Sequence, residues 1–134
     1  MAKELDGLFR LDGKIIVITG AAGLLGKKHA EAIAAYGGTP ILLDLSKKAV
    51  DEFADQLNKK YQVKAEGFVV DITDELQLKI NSDFLIEKFG KIDGLINNAA
   101  NNPKVEDGSM QNFSRLENFP LEIWNQDVAV GLTG

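Results

Sequence analysis

Three glycines recur at even spacing in TGAAGLLG, Thr19 to Gly26, between the apolar run KIIVI and the helix-like segment KKHAEAIAAYGG. A strand that turns straight into a helix can use each of them: Gly20 permits a tight turn, Gly23 lets backbone approach a ligand, and Gly26 permits close packing. The first N–H groups of a helix lack partners and sit at the positive end of its dipole, so that end suits a diphosphate. A purely structural turn would use the same glycines. Asp44 ends the next apolar run, eighteen residues past Gly26, where a carboxylate accepts hydrogen bonds from ribose hydroxyls and repels a 2′-phosphate. Leu45 and Ser46, neither of them basic, follow it, which favours NAD over NADP. The same carboxylate could instead cap the helix that begins at Ser46. Asp71 in VVDITD is placed to accept from an adenine amino group, with Ile72 against the ring; capping of the next helix by Asp71 or Asp74 is the competing reading. Asn97 to Ala100, NNAA, combines small residues that leave room for a cofactor with amides that can pin strands; an Asn-rich turn would look alike.

Other chemistry is sparse. Without cysteine there is no disulfide, thiolate nucleophile or Cys-ligated metal, which fits a reducing compartment and makes the cytoplasm the expected location. The only histidine, His29, lies in a helix beside Lys27 and Lys28 and is expected to pack or face solvent. The acidic pairs Asp51-Glu52 and Asp74-Glu75 read as solvated helix starts. A net charge of −5 with scattered Lys and Arg argues against nucleic acid and an acidic membrane surface as partners. MAKELDGLFRLDG lacks the apolar length of a signal peptide or membrane span.

The elements that must position these residues alternate. Lys14 to Thr19 is too apolar for a one-faced strand and reads as one covered on both sides in a parallel sheet. A helix from Leu24 to Tyr36 stops at Gly37-Gly38. TPILLD is a second strand, SKKAVDEFADQLNKKY a helix capped by Ser46, and VKAEGFVVD a third strand. TDELQLKINSDFLIEKFG follows as a helix capped by Thr73 or Asp74, and KIDGLINNAA is a fourth strand running into a loop. Asn101 to Asn118 reads as a long loop, and Pro120 opens a helix whose apolar face holds Ile123, Trp124, Val128 and Leu132. The pattern is a doubly wound α/β parallel sheet, a Rossmann fold truncated after about four strands, with residues 1–134 forming one dinucleotide-binding domain incomplete at its C-terminus.

TGAAGLLG, LLDLS, VVDITD and NNAA, in that order, resemble the short-chain dehydrogenase/reductase family from Leu11 to Gly134. The resemblance implies cofactor contacts from Gly20, Ala22, Gly23, Leu24, Leu25 and Gly26 at the diphosphate, and from Asp44 and Leu45 at the ribose. It further implies contacts from Asp71 and Ile72 at adenine, and from Asn97, Ala99 and Ala100 along the cleft. The family's common TGxxxGxG is replaced by a spacing like that of the extended branch acting on nucleotide sugars, with Leu24 at the middle glycine; NNAA is similar to the short branch's NNAG. WNQDVAVGLTG is similar to a helix ending in V-N-L-T-G, which sets Gly131 where the family has its catalytic Asn. The family's catalytic Ser and Tyr-x-x-x-Lys pair lie farther downstream, and Tyr36 and Tyr61 are followed four residues on by Pro40 and Ala65. The expectation is therefore the NAD(H)-binding part of an oxidoreductase that moves hydride between nicotinamide and a small hydroxyl or carbonyl substrate, a homo-oligomer when full-length. In this chain no catalytic residue and no turnover are expected. A non-catalytic nucleotide-binding module and an extended-branch nucleotide-sugar epimerase or dehydratase are the alternatives. A fainter likeness is to reductases of bacterial surface-sugar or flagellin modification.

Overall fold

The computed structural model describes residues 7–101, 117 and 119–134. The β-branched run Ile15–Thr19 forms β1, and its apolar residues at both parities make it a central strand. It pairs in parallel with β2, Thr39–Asp44, on one side and with β4, Gly94–Ile96, on the other. β3, Glu66–Val69, pairs with the far edge of β2, giving the order β3-β2-β1-β4. Between the strands run α1, Leu24–Ala35, α2, Lys47–Tyr61, and α3, Glu75–Phe89. Side chains of β1 alternate between two apolar layers. Ile18 joins Ile33 of α1 and Leu57 of α2, whereas Ile15 and Val17 join Leu85 of α3.

Local chemistry sets the helix ends. The Ser46 hydroxyl accepts from the Ala49 N–H at the start of α2, and the Asp74 carboxylate accepts from Leu76 and Gln77 at the start of α3. Gln77 N–H groups, backbone first, hold the Asp74 carboxyl below its usual range. Gly90 closes α3 in the left-handed conformation, at φ 78°. The Asn58 amide brackets Ala65, donating to its carbonyl at 2.9 Å and accepting from its N–H at 2.6 Å. That bracket ties α2 to the chain entering β3.

The third strand is shorter than the expected span of 63–71. Its ladder ends where the Val70 N–H donates to the Asp44 carbonyl at 3.2 Å, because β2 offers no further partner. Asp71 consequently stands past the strand rather than at its last residue. At the opposite end of the sheet the Asp93 N–H donates to the Ile15 carbonyl at 2.8 Å, while its carboxylate accepts from the Ile15 N–H at 2.9 Å and from Lys14 and Lys91. These donors, the Ile15 N–H first, hold the Asp93 carboxyl far below the usual carboxylate range.

The chain divides into two compact units, Met1–Ala99 and Ala100–Gly134. Within the second, Pro120 is the N-cap of α4, Leu121–Val128, which continues as a π-helical turn, Ala129–Thr133. The Asn101 amide donates to the Asp127 carboxylate at 2.9 Å. Ile123 and Val128 are half-buried, and Trp124 and Leu132 are exposed. Apart from Asn101 and Glu117, the expected loop 101–118 lies outside the described residues. Among the described residues no helix is long and apolar enough to cross a membrane.

Candidate cofactor site

Parallel strands all end on one edge of the sheet, and there the first crossover carries the glycine turn. Gly20 has φ +62°, a conformation that side chains rarely adopt, and a Cβ on it would lie 2.8 Å from the Ala99 Cα. Gly26 begins the close packing of α1: a Cβ there would lie 2.3 Å from the Gly20 carbonyl oxygen and 2.7 Å from the Ala21 Cα. Gly23 is less confined, its nearest neighbour at 3.2 Å, and it is the N-cap of α1 in extended conformation. α1 differs from α2 and α3 at this point. No side chain caps its N-terminus and no acid stands in its first turn, so its leading N–H groups keep capacity for an anion. Leu24 and Leu25, in that first turn, are 88% and 64% exposed.

Asp44 faces this turn. Its Oδ2 accepts from the Ala22 N–H at 2.9 Å, and its Oδ1 accepts from Leu45 at 2.8 Å and Ser46 at 3.4 Å. The helix after it is capped by Ser46, so capping is not what occupies Asp44. Leu45 is exposed. The Asp71 carboxylate accepts from the Thr73 N–H at 2.9 Å and its hydroxyl at 2.7 Å, and the Asp71 N–H donates to the Gln77 side chain. Asp71 therefore closes a local turn while Asp74 caps α3; Ile72 beside it is half-buried.

Past β4 the two asparagines separate. Asn97 is exposed, whereas the Asn98 amide reaches back to the glycine turn and donates to the carbonyls of Thr19 and Gly20 at 3.0 and 3.1 Å. The buried Thr19 hydroxyl accepts from the N–H groups of Asn98 and Ala99, each at 3.0 Å. Thr19 was not singled out from the sequence, and of the amides expected to pin strands it is Asn98 that reaches Thr19 and Gly20. The signal for Thr19 was a hydroxyl before the first glycine. Ala99 is half-buried; Ala100, exposed, belongs to the second unit. Gly131 lies in the π-helical turn with open space where a Cβ would stand. His29 is half-buried in α1, and no group of acids and histidine among the described residues is arranged to hold a metal. Two apolar grooves run along α3, one lined by residues such as Phe68, Ile80 and Phe84 and reaching Gln77 beside Asp71, the other by residues such as Leu78 and Leu95.

A doubly wound parallel sheet with an uncapped glycine turn at its first crossover is a nucleotide-binding Rossmann fold. The chain belongs to the short-chain dehydrogenase family, NAD(P)-binding oxidoreductases, whose profile, described as short chain dehydrogenase, matches residues 14–134. It is 38% identical over 119 residues to the 7alpha-hydroxysteroid dehydrogenase of Escherichia coli K12, covering 87% of this chain and 45% of that protein. Among solved structures it is similar to NAD+-bound xylitol dehydrogenase, with a TM-score of 0.78 at 26% identity, covering 92% of this chain and 44% of the other. It is likewise similar to the NADPH-dependent 3-quinuclidinone reductase of Rhodotorula rubra, with a TM-score of 0.79 at 29% identity, covering 96% and 46%. The chain thus spans about half the length of the relatives it matches.

Proposed function

We propose that this chain is the NAD-preferring cofactor-binding part of a short-chain dehydrogenase or reductase acting on a small hydroxyl or carbonyl compound. The single observation that carries the preference is Asp44, whose carboxylate is fixed by backbone N–H groups on both oxygens and faces the glycine turn. A ribose diol can donate to such a group, whereas a 2′-phosphate meets a like charge that cannot swing aside.

The residues fit the rest of a dinucleotide. Gly20 and Gly26 keep the turn close and free of side chains, Gly23 leaves its approach open, and the uncapped start of α1 at Leu24 and Leu25 offers N–H groups to the diphosphate. Ala22 takes part through its place in the turn. Asp71 and Ile72 border adenine, Leu45 the adenosine ribose, and Asn97 and Ala99 the side toward the nicotinamide. When bound, the cofactor supplies a nicotinamide C4 that accepts or gives hydride. This chain's residues bind and orient it, and none is assigned the proton transfer: Tyr36 and Tyr61 lack a lysine four residues on.

Calorimetric titration tests the reading. NAD+ and AMP should bind, and adenosine 2′,5′-bisphosphate, which adds only the 2′-phosphate, should bind at least about tenfold more weakly than AMP. Equal affinity for the two would remove the NAD preference, and substrate-dependent NADH formation by this chain would refute the assignment of proton transfer elsewhere.

A further inference from the structure

We infer that Asp44 is also the latch of the glycine turn, a positioning residue that sets the turn's shape before any nucleotide arrives. The inference rests on the reading above that this turn receives a diphosphate. Four backbone groups of the turn are tied down. The Ala21 N–H donates to the Leu43 carbonyl at 3.0 Å, the Gly23 N–H donates to the Gly20 carbonyl at 3.1 Å, and the Gly20 carbonyl accepts from Asn98 at 3.1 Å. The fourth is the Ala22 N–H, held by Asp44 at 2.9 Å across twenty-two residues of sequence. It is the one tie of the four that uses a charged group, and hydrogen bonds to charged groups are the stronger kind.

The carboxylate can perform both tasks at once. An ionised carboxyl offers about four acceptor positions. Ala22, Leu45 and Ser46 use three of them, leaving acceptor capacity for a sugar hydroxyl. With Ala22 committed, the diphosphate is left to the N–H groups at the start of α1. A substitution of Asp44 meant only to admit a 2′-phosphate will therefore also loosen the diphosphate cradle.

The test separates the sugar contact from the latch. Asp44→Ala and Asp44→Glu are compared with the native chain by amide exchange at Ala22 without ligand, and by titration with ADP and with 2′,3′-dideoxy-ADP, which lacks the hydroxyls. Asp44→Ala should speed Ala22 exchange by about tenfold and weaken both nucleotides, the dideoxy compound included. Asp44→Glu, which keeps a carboxylate, should hold exchange and dideoxy-ADP affinity within about threefold of the native chain. Loss of ADP affinity alone, with Ala22 exchange and dideoxy-ADP unchanged, would reduce Asp44 to a sugar contact and overturn the latch. So would an Asp44→Glu chain that behaves like Asp44→Ala on both readouts, or a native Ala22 amide that exchanges like an exposed one. That last measurement decides the matter if the alanine variant does not fold. A native chain that binds neither nucleotide sinks the cofactor reading, while Ala22 exchange still judges the latch.

Discussion

The three glycines of the turn make different demands, and alanine at each should separate them. At Gly20 a methyl meets both a left-handed backbone, φ +62°, and the Ala99 Cα at 2.8 Å. The conformation costs about 1–2 kcal/mol and the overpacking about as much again, so Gly20→Ala should lose about 2–4 kcal/mol. At Gly26 the obstacles are backbone atoms, the Gly20 oxygen at 2.3 Å and the Ala21 Cα at 2.7 Å, which no rotamer change relieves. Overpacking there of about 3 kcal/mol is offset by about 1 kcal/mol of helix propensity, leaving a net loss of about 2 kcal/mol. Gly23 is extended, and its nearest neighbour at 3.2 Å can give a little, so Gly23→Ala should cost well under about 1 kcal/mol.

Urea denaturation and ADP titration on the same three variants read the outcome. With an m-value of about 2 kcal/mol/M, Gly20→Ala and Gly26→Ala should lower the midpoint by about 1–2 M and Gly23→Ala should barely move it. Binding should follow a different order. Gly23→Ala should lose at least about tenfold in ADP affinity at near-native stability, because its methyl would stand on the approach to the diphosphate. A Gly23→Ala chain that binds ADP like the native one would refute the claim that backbone meets ligand there. A Gly26→Ala chain of native stability would refute the packing argument.

Asn98→Asp should destabilise by about 2 kcal/mol or more and abolish ADP binding, since a carboxylate would face the Thr19 and Gly20 carbonyls that the amide now donates to; urea melts beside Asn98→Ala, the milder change, check this. The Asp93 carboxyl is held low in the folded state, so its stabilisation is complete above the unfolded value near about 4 and is lost as pH falls toward the folded value. The urea midpoint should therefore drop between about pH 5 and pH 3, and Asp93→Asn should lower the neutral-pH midpoint and flatten that drop.

Local signals carried the order of elements, and nonlocal ones were silent. β2 spans Thr39–Asp44, as its apolar run between Gly38 and Ser46 implies, and Ser46 caps α2 as a serine before a helical period should. The start of α3 offered two acceptors in a row. Asp74 takes the cap, its carboxylate accepting from Leu76 and Gln77 in the first turn, while the Thr73 hydroxyl donates back to Asp71. The length of β3 could not be read from VKAEGFVVD, because it is fixed by where β2 runs out of partners at Asp44. The altered place of Asp71 follows from that one fact.

The site was legible as motifs and illegible as contacts. Asp44 stood where an acid should stand, yet nothing in LLDLS marks Ala22 as its neighbour, since that contact exists only once β2 lies beside β1. The pair Asn97-Asn98 poses a parity problem: successive residues point to opposite sides, so one amide faces the turn and the other does not, and composition cannot choose. The choice is made by β4, and β4 is only three residues long with a ladder to β1. So short a strand has few backbone bonds to set its register. Side chains do it at both ends: Asp93 grips the start of β1, and Asn98 with Thr19 grips its end. A slip of one residue that brought Asn97 into the place of Asn98 would keep an amide there but put Ile92 where Asp93 stands, so of the two grips it is that of Asp93 on Ile15 that tells the registers apart. The end of the sheet that carries the glycine turn is thus held in register partly from the opposite end, by a carboxylate that no motif points to.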